Sequence, residues 1–124
     1  MATTISGTTG VATSNLTLTG YYTESVVAIG SSGTTKTLSL TSGTFQTVTL
    51  TGNCTFTMPT ATAGQSFILI VSQDATGGRT ATFTGVKWPL ANAPTITVTA
   101  SATDILSFVS NGTSWFGSAV QAFA

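Results

Sequence analysis

The feature that most constrains this chain is an alternation of apolar residues with threonine and serine that recurs along most of its length. Leu16 and Leu18 alternate with Thr17 and Thr19, Leu38 and Leu40 with Thr37, Ser39 and Thr41, and Val48 and Leu50 with Thr47, Thr49 and Thr51. The rhythm continues through Phe56 and Met58, Ile96 and Val98, and Leu106 and Phe108. A period of two sends successive side chains to opposite faces of an extended strand, so each segment has one apolar and one polar face. Threonine suits the outward half, because its branched β-carbon fits the pleat while its hydroxyl stays hydrated. No long stretch carries apolar residues at helical spacing, and the load of Thr, Ser and Gly opposes helix formation.

Ten segments read as strands: residues 16–22, 25–29, 36–41, 46–51, 54–58, 66–72, 79–85, 95–99, 103–110 and 113–118. Short turn signals separate them, among them Gly30-Ser31-Ser32-Gly33, Ser42-Gly43, Gly52-Asn53 and Asn111-Gly112. Asn111-Gly112 is a strong hairpin signal, since both residues accept the positive φ of a tight turn. The run from Phe67 to Val71 is apolar on both faces, which predicts a central strand covered on each side by sheet, loop or a neighbouring subunit. Strand number and spacing predict an all-β fold, a compact antiparallel β-sandwich, jelly-roll-like domain or small barrel. No tandem repeat can be aligned.

At 124 residues the chain suits one domain, over residues 16–124, preceded by an extended N-terminal arm over residues 1–15. The arm offers only Ile5 and Val11 as sizeable apolar anchors up to Ser14, so it reads as a frayed tail or as a segment that orders along a partner.

Charge removes whole classes of function. Only Lys36, Arg79, Lys87, Glu24, Asp74 and Asp104 are charged, histidine is absent, and Cys54 is the sole cysteine. A histidine-dependent triad, a Cys-rich zinc site and a disulfide framework are therefore excluded, and no cofactor or metal is expected. Three scattered cations cannot form a phosphate-neutralising patch, so nucleic acid is not an expected partner. The longest strongly apolar run is too short for a spanning helix, so no membrane is expected either. The N-terminus lacks a basic start and an apolar stretch, which predicts synthesis in a cytoplasm without signal-peptide export.

The residues that remain as candidates are weighed individually. Asp74 to Arg79 reads as a turn in which Asp74 bonds nearby amides, Gly77 and Gly78 take positive φ, and Asp74 pairs with Arg79 across a hairpin base. Tyr21, Tyr22, Trp88 and Trp115 are candidates for glycan stacking or for a protein interface, against the plainer reading of core packing. Asn15, Asn53 and Asn111 begin Asn-x-Ser/Thr sequences that arise by chance in a chain this rich in threonine. The three carboxylates have no context that suggests a catalytic pair, and the chain is not expected to be an enzyme.

Residues 36–117 resemble a β-module of tailed-bacteriophage virion proteins, found in tail fibres and in small head-decoration proteins. The resemblance is carried by Leu50-Thr51-Gly52-Asn53 with Phe56, Thr62-Ala63-Gly64-Gln65, and Val71-Ser72-Gln73-Asp74 leading to Arg79-Thr80. It continues through Trp88-Pro89, Ala93-Pro94-Thr95, Asp104-Ile105-Leu106-Ser107-Phe108, and Asn111-Gly112-Thr113 with Trp115 and Gly117. It implies a virion structural role, usually as a homotrimer, made in the cytoplasm of a host bacterium, and it brings no catalytic residues. The compact chain with a short leader leads to the expectation of a capsid decoration (cement) protein that binds the major capsid protein on the capsid surface. The alternative is a tail fibre, tailspike or receptor-binding module that meets host glycan through Tyr22, Trp88 or Trp115. A lesser alternative is a self-assembling bacterial surface or adhesion protein. Near-zero net charge favours close packing of subunits in each case.

Overall fold

A computed structural model describes residues 10–124. The part of the expected arm over residues 1–9, with its anchor Ile5, lies outside the described residues. Nine strands follow in order: β1 Val26–Ser31, β2 Thr35–Thr37, β3 Phe45–Leu50, β4 Cys54–Thr57, β5 Ser66–Gln73, β6 Ala81–Thr84, β7 Val86–Lys87, β8 Thr103–Ser110 and β9 Trp115–Phe123. Among the described residues the one helical element is a 3-10 turn over Pro89–Ala91. Two predicted strands do not form among the described residues: residues 16–22 are exposed and irregular, with a bend at Thr19 and Gly20, and residues 95–99 run irregularly although Ile96 is buried.

Strand order reveals how the chain is wound. One sheet has the order β1-β3-β5-β8-β9-β7 and the other β2-β4-β6. From β1 to β6 the chain alternates between the sheets, and each returning strand lies parallel beside its predecessor. These six strands therefore form successive coils around a shared core, and the antiparallel pairing expected of them is corrected to parallel. Among the described residues antiparallel pairing is confined to β5 with β8 and β8 with β9. Parallel neighbours need a crossover, and here a strand of the opposite sheet supplies it. The coils differ in length: Val26 pairs with Phe45 and Phe45 with Ile68, whereas Thr35 pairs with Thr55 and Thr55 with Thr82. Unequal corners hide the repeat from any alignment at a fixed period.

Inward ladders build the core. In the smaller sheet Lys36, Phe56 and Phe83 stand in register, and the two phenylalanine rings stack at 4.9 Å. From the larger sheet Leu69 and Leu106 pair, and Phe67 stacks on Phe108 at 4.9 Å. Phe83 lies 5.4 Å from Phe108, which joins the sheets across the interior. As predicted, β5 is central, between β3 and β8, with Phe67, Leu69 and Val71 buried on its inner face.

Three buried polar side chains close the corners and the sheet end. Gln46 donates to the carbonyls of Ser39 and Gly43, and Gln73 donates to those of Arg79 and Thr97 while accepting from the Arg79 N–H. Asp104 accepts from the N–H groups of Thr97 and Ala122 and from the Gln121 amide. Burial would raise its carboxyl, but these hydrogen bonds outweigh burial and hold it below the usual carboxylate range. Among the described residues no buried side-chain polar atom lacks a partner.

Candidate interaction surface

The outer face of the six-stranded sheet is set by the same alternation that fills the core. Because Leu69 and Val71 point inward, Ile68 and Ile70 point outward, and register carries that facing across the sheet. One outer row aligns Val26, Phe45 and Ile68, followed by Ser107 and Ser118. The next aligns Ala28, Thr47, Ile70, Ile105 and Val120. At one end Ser66, Val109, Phe116 and Lys87 share a third row. Val26, Val109, Phe116, Val120 and Phe123 are all exposed large apolar residues. Isolated exposed aliphatics are ordinary, whereas several gathered on one sheet face make that face a candidate contact surface.

The candidate aromatics divide. Trp115 is 3% exposed, its ring packs edge-on against Phe67, and its Nε1 donates to the Pro59 carbonyl at 2.7 Å. It belongs to the core and offers no ring to a glycan, which corrects its candidacy for that role. Trp88 is half-buried, edge-on to Phe83 and Phe108, and covers Gly117, where an added Cβ would lie 2.5 Å from the indole. Its packing face is thereby spent inside the protein. Tyr21, by contrast, is 93% exposed and Tyr22 70%. Tyr22 borders an open depression on the outer face with Glu24, Thr44, Ser66, Ile68 and Val109. Thr44 Oγ1 donates to the Glu24 carboxylate there, fixing the acid at the foot of the sheet.

The Asp74–Arg79 segment has the local chemistry expected of it but a different role. Asp74 accepts from the N–H groups of Gly77 and Thr76, Gly77 and Gly78 have φ of 72° and 74°, and Arg79 pairs with Asp74 at 3.1 Å. The Gly77 N–H is the foremost cause of an Asp74 carboxyl held below its ordinary value. Instead of closing a hairpin, the segment turns the chain from β5 into β6 of the other sheet. Cys54 is a buried free thiol, pushed up by burial. Among the described residues no three His, Cys, Asp or Glu side chains cluster to hold a metal ion, and no helix is long and apolar enough to cross a membrane.

The apolar outer face was foreshadowed only by the two-sided run from Phe67 to Val71. Phe45, Ile105, Val109, Phe116 and Val120 join it through register, and register follows from the parallel winding that sequence alternation leaves open.

No curated protein and no solved structure matches the chain. A family model described as "Putative phage tail fibre C-terminal domain" matches residues 6–115, which take in every strand up to the start of β9. With nearly the whole β fold inside that match, the chain belongs to this phage tail fibre C-terminal domain family and is a phage virion structural module.

Proposed function

We propose that the protein works as a tail-fibre component and assembles there as a homotrimer. The family match over residues 6–115 carries this reading and favours the tail-fibre alternative over the head-decoration expectation. The charge-poor, apolar outer sheet face supports assembly, because such a surface is stabilised by burial against other subunits. Tyr21, nearly fully exposed, is the ring on which a host-glycan contact would rest.

Labelling the protein in intact virions with an antibody tests the location. Signal at the tail alone is the expected result, and signal spread over the head at high copy number would return the protein to capsid decoration and to a major capsid protein partner. Glycan binding that is lost in Tyr21→Ala while assembly is kept would add receptor contact to the structural role.

A further inference from the structure

The outer face of the six-stranded sheet is flanked by opposite charges at one height. Lys87 ends the β7 edge strand and shares a row with Phe116, Val109 and Ser66. Glu24, held by Thr44, borders the same depression as Ser66 and Val109, on the side toward β3. Neither has an ion-pair partner among the described residues, where the one salt bridge is Asp74 with Arg79. Of the remaining charges, Asp104 is buried and Lys36 stands in the other sheet. Between the two flanks the face is apolar or hydroxylic, with no like charge to repel a copy of itself.

Size is compatible with an interface. Five strand spacings of about 4.8 Å and a strand of about 26 Å give a footprint of roughly 600 Å². A typical stable interface covers about 800 Å² per partner, so this face supplies most of one.

We propose that this face is the subunit interface, with copies packed in a closed ring about an axis running along the strands, Glu24 of each beside Lys87 of the next. Rotation about such an axis preserves height, so the flank carrying Glu24 meets the flank carrying Lys87 at one level. A two-fold axis lying in the plane of the contact but running across the strands would reverse them and set each charge against the far end of the partner's sheet. The number of copies rests on the trimeric reading above; the choice of face and of axis does not.

Native mass measurement at micromolar concentration tests the assignment, with circular dichroism to verify folding. The wild type is expected as a trimer, Val120→Asp as a folded monomer because it buries a charge in an apolar contact, and Thr55→Asp, on the outward side of the smaller sheet, as a trimer. Lys87→Glu is expected to weaken association roughly five-fold, and the Glu24→Lys, Lys87→Glu double variant to restore it. If Val120→Asp loses its β-sheet signal, Phe123→Asp near the chain end carries the same test. A trimer that survives these aspartates overturns the face, and a double variant no better than Lys87→Glu overturns the pairing and its axis. A monomeric wild type overturns the interface altogether, whereas virion labelling judges the tail location independently.

Discussion

The coiled part of the molecule, β1 to β6, and the hairpin part, β8 and β9, use the same residue pattern to opposite ends. In both, alternate residues fill one core, and Phe83 of the coils touches Phe108 of the hairpin. The hairpin is joined by a turn whose Asn111 side chain accepts from the N–H groups of Thr113 and Ser114, so its partner and direction are chosen locally. The coils are joined by corners, and each strand finds its partner a full circuit later along the chain. Local chemistry thus decides the pairing of one part, and only the shared core decides that of the other.

The sharpest way to break this comparison is to remove a ring from each part. Phe56→Ala and Phe108→Ala are each expected to cost about 3–5 kcal/mol, because both rings are fully buried. Urea unfolding followed by fluorescence and by circular dichroism should give one coincident transition in both variants. Two separated transitions would mean that the coils and the hairpin do not share a core.

Gly77→Ala comes next, at about 2–4 kcal/mol. Its φ is positive, and a Cβ would lie 2.7 Å from the Val98 carbonyl and the Ala100 nitrogen, so the corner after β5 cannot close over the 95–102 segment. Thermal unfolding reads the loss.

Asp104→Asn is expected to cost about 1–3 kcal/mol, since an amide cannot accept all three hydrogen bonds that converge on the carboxylate. The pH dependence has a definite sign. A carboxyl whose folded value lies below its unfolded one stabilises the fold above the unfolded value, about 3.9, and that stability is lost as pH falls through the folded value. Wild type should therefore lose stability below about pH 4 more steeply than Asp104→Asn, whose remaining acid sensitivity includes that of Asp74.

The smallest effect belongs to the hairpin turn. Gly112→Ala, at a φ of 97° and 3.2 Å from the Ala63 side chain, is expected to cost about 1 kcal/mol and to leave β8 paired with β9. A folding rate slowed more by Gly112→Ala than by Gly77→Ala would indicate that the hairpin forms before the coils close.

Much of the fold was legible in the chain itself. Alternation located β3, β4, β5 and β8 nearly to the residue, and the Asn111-Gly112 signal joined β8 to β9. Direction and partner were not legible for the coils, because a period of two is identical in parallel and antiparallel strands and the corners resemble hairpin turns. Leu16 and Leu18 alternate as convincingly as Val48 and Leu50, yet residues 10–25 pair with no strand among the described residues, since alternation supplies a face and not a neighbour. Among the aromatics, Trp115 was hidden by its own size: nothing in its sequence neighbourhood distinguishes a ring that meets the Pro59 carbonyl inside from one that meets solvent.

Lys36 occupies the first step of the ladder that Phe56 and Phe83 continue, on a strand whose other edge pairs with no strand among the described residues. A screw thread that can be wound three turns can be wound four, and a further turn from another chain would be laid on that edge of β2. The ammonium at that step would have to surrender its water to be covered, which makes Lys36 the stop at the end of the thread. Lys36→Phe is therefore expected to ease end-to-end addition of chains at that edge, visible as a rise in light scattering.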